Sequence, residues 1–125
     1  MDLYRQLILD HYKHPRNFGH LDGMDVKSEE LNPSCGDRVG IEIKVKVNSQ
    51  VPMVIDDIRF YGEGCAIDQA SASMLTEKVK GMPVDDVQKL QLSDIESLLG
   101  TTLTPSRVKC ALLPLEVIQK AIRNE

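Results

Sequence analysis

The sequence predicts an α+β fold: a small three-stranded antiparallel sheet with helices packed on it. Three observations carry this expectation. Residues 41–47, Ile-Glu-Ile-Lys-Val-Lys-Val, alternate apolar and charged without a break, which is the period of a half-buried strand. A second, less regular alternation at residues 53–61 follows the turn-forming Asn48-Ser49-Gln50-Val51-Pro52, so the two strands pair as an antiparallel hairpin. Helical spacing of apolar residues then prevails from residue 66 onward.

The elements follow in order. Residues 2–13 read as a helix, with Leu3, Leu7 and Ile8 at helical spacing and Tyr4, His11 and Tyr12 along the same flank. Asp2 is its N-cap candidate, and Pro15 stops it. Asn17-Phe18-Gly19 reads as a turn. Residues 25–31 give the most weakly patterned strand. In residues 53–61 the apolar members are Ile55, Ile58 and Phe60, and one polar face per strand suits a sheet covered on one side only. Residues 66–80 read as a helix with Ala70, Met74 and Val79 facing inward and Gly81 past its end. The small residues Ala70-Ser71-Ala72-Ser73 let that helix approach a neighbour closely. Asp85-Asp86 and Ser93-Asp94 are cap candidates for two short helices that end near Gly100. The last helix carries Leu113, Val117, Ile118, Ala121 and Ile122 as its apolar stripe. Pro114 sets its expected start. A proline in a helix interior costs about 3 kcal/mol, whereas the first turn tolerates it, so the helix is expected from about Cys110 to Arg123.

With 125 residues, 42% of them apolar, one domain over 1–125 is expected, without internal repeats or low-complexity stretches. Fifteen basic against nineteen acidic residues give a net charge of −4, which argues against a nucleic-acid binder. No apolar run approaches the roughly 20 residues that span a bilayer. The N-terminal MDLYRQLILD has early charges and no cleavable signal pattern, so a cytoplasmic protein is expected.

Cys35, Cys65 and Cys110 are too few, and odd in number, for a disulfide framework in such a compartment. Cys35 and Asp37 share the loop Asn32-Pro33-Ser34-Cys35-Gly36-Asp37. Cys65 follows Gly62-Glu63-Gly64 between a strand and a helix, and Cys110 stands at the expected start of the last helix. Two thiols are thus expected at helix N-termini, where the dipole and free N–H groups favour thiolate. No C-x-x-C pair is present, so a zinc-finger pattern is absent. Small core residues are the plain alternative for the cysteines, and an ordinary turn residue is the alternative for Asp37. Taken together, three thiolates and a carboxylate would complete a tetrahedral site for Zn²⁺, or for iron with sulfide. With Zn²⁺ such a site carries a formal charge of −2. Arg38, Arg107 and Lys109 lie beside the ligands in sequence and would offset it.

The chain resembles the U-type iron–sulfur cluster assembly scaffolds, the family of IscU, SufU and the NifU N-terminal domain. Four motifs in order carry the resemblance over nearly the whole length: Leu9-Asp10-His11-Tyr12-Lys13-His14-Pro15-Arg16-Asn17-Phe18-Gly19; Asn32-Pro33-Ser34-Cys35-Gly36-Asp37; Gly62-Glu63-Gly64-Cys65-Ala66-Ile67 with Ala70-Ser71-Ala72-Ser73; and Arg107-Val108-Lys109-Cys110-Ala111. The resemblance implies a SufE/NifU-like fold in which Cys35, Asp37, Cys65 and Cys110 converge on one exposed site. It implies a cysteine desulfurase as sulfur donor, docked in part on the N-terminal segment, and cluster acceptor or carrier proteins as recipients. Charge and hydropathy, as above, point to no nucleic acid and no membrane as partners. In the IscU branch such a site assembles and transfers a [2Fe–2S] cluster. In the SufU branch it holds zinc and accepts persulfide sulfur. Cys35 and Cys110 are the candidate persulfide acceptors, and the chain is expected to be a scaffold or sulfur acceptor rather than an ordinary enzyme.

Branch markers are mixed. The IscU branch has histidine before the third cysteine, where this chain has Lys109, as the SufU branch does. The SufU branch carries an insertion ahead of that cysteine which the interval from Cys65 to Cys110 is too short to hold. The L-P-P-V-K chaperone segment of the IscU branch is replaced by Leu103-Thr104-Pro105-Ser106-Arg107-Val108. A lysine is a cation and a poor ligand, which leaves Asp37 as the expected fourth donor. A purely structural metal is a further reading. His11, His14 and His20 show no acidic orienter in the sequence and are not expected to bind metal.

Overall fold

The computed structural model describes residues 3–32, 36–47 and 53–123. The chain runs as helix α1 (Leu3–Lys13), strands β1 (Val26–Asn32), β2 (Asp37–Lys46) and β3 (Val54–Glu63), and helices α2 (Ala66–Val79), α3 (Val84–Val87), α4 (Leu92–Leu99) and α5 (Pro105–Arg123). The three strands form one antiparallel sheet in the order β1-β2-β3. This is the α+β architecture the sequence predicts. The expected N-cap Asp2 and the expected turn at 48–52 lie outside the described residues.

One face of the sheet builds the core. Ile41 pairs with Phe60 and Ile43 with Ile58 across β2 and β3. All four are fully buried against α2 and α5, together with Leu75, Val117 and Ile118. The opposite face is not simply solvated, because Glu42 is only 2% exposed. The segment after α1 crosses it there. His20 Nδ1 lies 2.7 Å from Glu42, and the Leu21 N–H donates to it at 2.9 Å. Burial alone would push the Glu42 carboxyl up, but these two hydrogen bonds outweigh it and hold the group below its usual range.

Three expectations need correction. The first concerns α1, whose apolar stripe is divided: Ile8 packs against the core, and the other members do not. Leu3 is 73% exposed, Tyr4 and Leu7 are exposed too, and His11 is the buried residue of the helix. The second concerns α2, which buries far more than one stripe. Every residue from Asp68 to Thr76 is buried, because its small side chains let α1, α4, α5 and β3 all close upon it.

The third concerns α5, which begins at Pro105 rather than at Cys110. Pro105 occupies the first helical position, where a missing N–H costs nothing. Pro114 then falls inside the helix, where it cannot donate to the Cys110 carbonyl one turn back. Beside it, the buried Ser71 hydroxyl of α2 donates to the Ala111 carbonyl at 2.7 Å. The short helices also differ in their caps. Pro83 precedes α3. At α4, Gln91 rather than Ser93 is the cap, with Asp94 closing a capping box.

Candidate metal centre

Strand register brings the first two motifs together. Arg38 pairs with Glu63 across β2 and β3, so Asp37 at the start of β2 lies beside the Gly64-Cys65 exit of β3. Two glycines make the approach possible. Gly62 has φ +126°, and a side chain there would run into the Arg38 carbonyl. A Cβ on Gly64 would overlap the Asp68 carboxyl oxygen and come within 3.1 Å of Asp37 Cγ. Gly64 is therefore the floor on which two carboxyl groups meet.

Cys65 caps α2, and its sulfur accepts from the Asp68 N–H at 3.5 Å. This places the thiol at the positive end of the helix dipole, as expected from the sequence. Cys110 reaches the same place differently. It lies in the second turn of α5 on the buried face, not at a helix start, so the dipole argument made for it from the sequence does not apply. Potential ligand atoms of Asp37, Cys65 and Cys110 all lie within 4.8 Å of one another. Asp37 and Cys110 are buried and Cys65 is partly exposed, so this part of the site is more enclosed than the resemblance implied. Cys35 lies outside the described residues.

The geometry suits a small cation. Donors about 2.0–2.3 Å from a tetrahedral ion lie within about 4 Å of each other, a separation the present spacing admits. Asp37 Oδ2 is buried and meets no hydrogen-bond donor among the described residues, which leaves it available as a ligand atom. Two thiols and a carboxyl form the mixed soft and hard donor set that Zn²⁺ and iron both accept.

Asp68 is the residue that sequence reasoning missed. It is fully buried, and neither carboxyl oxygen meets a donor among the described residues. Burial, the neighbouring Asp37 charge and the hydrogen bond its protonated form makes to Asp37 push its carboxyl up to about 8. Its only signal in the sequence is an acid three residues after Cys65. That is ordinarily a solvated acid in the first turn of a helix.

The expected cations stay at the margin. Arg38 pairs with Glu29 at 2.9 Å on the surface, and Arg107 and Lys109 are exposed. Acidic partners for histidines do exist, contrary to expectation. His20 meets Glu42, and His11 Nε2 lies 3.9 Å from Glu77 while its Nδ1 meets Ser73 Oγ at 2.7 Å. Neither histidine belongs to the cluster around Cys65.

Among the described residues, no helix is long and apolar enough to cross a membrane. Residues 3–124 match the NifU-like N terminal domain family. The chain is 36% identical to the zinc-dependent sulfurtransferase SufU of Bacillus subtilis, covering 98% of this chain and 91% of that protein. It is 37% identical to the iron–sulfur cluster assembly scaffold protein IscU of Escherichia coli K12, covering 97% and 92%. The first alignment runs over 140 positions and the second over 124, so SufU carries residues that this chain lacks. The crystal structure of a putative SUF-system scaffold from Fervidobacterium islandicum has a TM-score of 0.78 at 26% identity, covering 94% of each chain. A match over nearly every residue, two relatives aligned end to end and a shared three-dimensional fold show that this chain belongs to the NifU-like N terminal domain family.

Proposed function

We propose that the chain is an iron–sulfur cluster assembly scaffold. It receives sulfur from a cysteine desulfurase, assembles a [2Fe–2S] cluster as cargo on Cys35, Asp37, Cys65 and Cys110, and passes it to acceptor or carrier proteins. The observation that carries this reading is the convergence of Asp37, Cys65 and Cys110 from three different elements. Cys35, two residues before Asp37, supplies the remaining donor. Thiolates hold iron and sulfide firmly, whereas the harder Asp37 oxygen holds cluster iron less firmly and eases its departure. Burial of Cys110 suits a holding role, which favours Cys35 over Cys110 as the persulfide acceptor. A desulfurase finds a mixed approach beside Cys65: a cleft of about 430 Å³ in which Arg5 and Arg107 join Tyr4, Ile8, Leu9 and Ile67. The chemistry needs reduced thiols and so fits the cytoplasm.

A second reading, a zinc-dependent sulfurtransferase, is favoured by Lys109 beside Cys110 and by the likeness to SufU. The same residues would hold Zn²⁺, which would keep the thiols deprotonated. Metal analysis combined with anaerobic reconstitution separates the two. The scaffold reading expects Fe²⁺, cysteine and a desulfurase to yield visible cluster absorption, lost in Cys65→Ala and Cys110→Ala. A folded chain that copurifies with about one zinc and builds no cluster would overturn it in favour of the second.

A further inference from the structure

Helix α5 carries a row of charges that neither the fold nor the metal centre uses. Lys109, Glu116 and Arg123 stand seven residues apart on it. Seven residues fall only about 20° short of two full turns, so the three charges share one flank, in the order positive, negative, positive. The row is about 21 Å long. All three residues are exposed, and none has an ion-pair partner among the described residues. Lys120, on the same flank, is already paired with Glu30 of β1. With the buried Leu113, these side chains form one side of a cleft of about 450 Å³, and Glu30, Leu31 and Asn32 at the end of β1 form the other. Leu31 is 58% exposed there. Strand β1 is an edge of the sheet, and among the described residues 26–31 make no backbone hydrogen bond outside the pairing with β2. Every second residue of such a strand turns its N–H and C=O outward. The cleft shares no residue with the one beside Cys65.

We propose that this cleft docks an extended peptide segment of a partner protein, one with two acidic residues six positions apart and a basic residue between them. The open edge of β1 offers main-chain hydrogen bonds to an extended backbone and none to a helix. Six steps of about 3.3 Å cover the span from Lys109 to Arg123, and residues an even number apart point to the same side of an extended chain, so both acids can face α5. The charge order of the segment, negative, positive, negative, is the complement of the row. A small anion cannot reach Lys109 and Arg123 together across about 21 Å. A nucleic acid would meet Glu116 midway along the row, on a chain of net charge −4. The Lys109 end of the row adjoins Cys110, so a segment bound here holds its protein beside the metal centre. The docking does not depend on which metal that centre takes.

The test selects a phage-displayed library of random nonapeptides on the full chain, and the enriched sequence is then synthesised as the probe. The expected result is enrichment of acidic residues six positions apart with lysine or arginine between them. Binding of that peptide slows hydrogen exchange at the β1 amides, read by NMR on the labelled chain. Lys109→Glu combined with Arg123→Glu weakens it by at least about tenfold, and a peptide with its two acids changed to lysine regains binding to that variant. Both substituted residues are exposed, and circular dichroism verifies that the variant is folded. A library that yields no enriched peptide overturns the proposal. So does an enriched peptide that binds the double variant equally well, or one that binds as a helix and leaves β1 exchange unchanged. Sedimentation of the free chain as a dimer that the two substitutions dissociate would assign the cleft to a second copy instead and overturn it too. Equal competition by inorganic phosphate or by an RNA oligomer would reduce the row to a general anion site, with the same result.

Discussion

Ser73 has one hydroxyl proton and two polar neighbours, of which one is itself a donor. The Arg16 N–H donates to its oxygen at 2.9 Å, so the proton is free to point at His11 Nδ1, 2.7 Å away. His11 is thereby assigned as neutral, with its own proton on Nε2 toward Glu77. Burial depresses its pKa below the usual 6.5, the Arg16 charge depresses it further, and Glu77 opposes both. Depression of a histidine means that the unfolded chain binds the proton more readily than the folded one. This contribution to stability is complete above pH 6.5 and is lost as the pH falls through the lower, folded value. Melting temperature measured from pH 7.5 to about 5 is expected to fall, and His11→Gln is expected to flatten the curve within that window. An equally steep curve in the variant would assign the acid sensitivity elsewhere, Asp10, Glu42 and Asp57 also being held low. His11 shows what was legible at this scale and what was not. Its place on a helix could be read from the sequence. Its partner Ser73 stands 62 residues away, and only the docking of α1 on α2 brings them together. Asp68 was hidden for the same reason, since Asp37 of β2 and Gly64 at the exit of β3 lie against it only in the folded chain.

One buried hydroxyl ties α5 to α2. Ser71 is 1% exposed and donates to the Ala111 carbonyl beside Cys110, in the turn that Pro114 opens. Ser71→Ala removes that buried hydrogen bond, at a cost of about 0.5–1.5 kcal/mol. The helix is also released next to a metal-centre residue, so the same variant is expected to bind Zn²⁺ or Co²⁺ more weakly. Chemical denaturation and metal titration on one preparation check both. A variant with the wild-type denaturation midpoint would show that α5 keeps its position without Ser71. Elements were more legible than their ends. Strand β2 follows from strict periodicity, β3 from a looser alternation and β1 from a weak one, and Gly64-Cys65 marks the entry to α2. Placing the start of α5 from Pro114 gave too much weight to one proline and too little to another. Pro105 is itself the favoured first residue of a helix, and α5 runs on through Pro114.

Across the whole molecule, the core and the metal centre are distinct. The apolar cluster runs without interruption from Val39, Ile41 and Ile58 through Leu75 to Val117 and Ile122, and it includes none of Asp37, Cys65 and Cys110. Ile41, Ile58, Val117 and Ile122 could be read from strand and helix periodicity, and Val39 and Leu75 could not. The convergence of Asp37, Cys65 and Cys110 could not, because it depends on the β2–β3 register and the tilt of α5. The motif resemblance, rather than spacing, pointed to it. A core of this kind does not need a metal to fold, unlike a zinc finger. Removing metal with a chelator is therefore expected to leave the far-ultraviolet circular dichroism unchanged. Melting temperature should still fall, because a ligand that binds only the folded chain stabilises it by about 2.7 kcal/mol when free metal is a hundredfold above its Kd. Restoring Zn²⁺ should return the lost stability in proportion to the logarithm of its free concentration. Collapse of the circular dichroism spectrum on chelation would mean instead that the metal holds the fold together. The centre would then be a structural staple, unsuited to releasing its cargo.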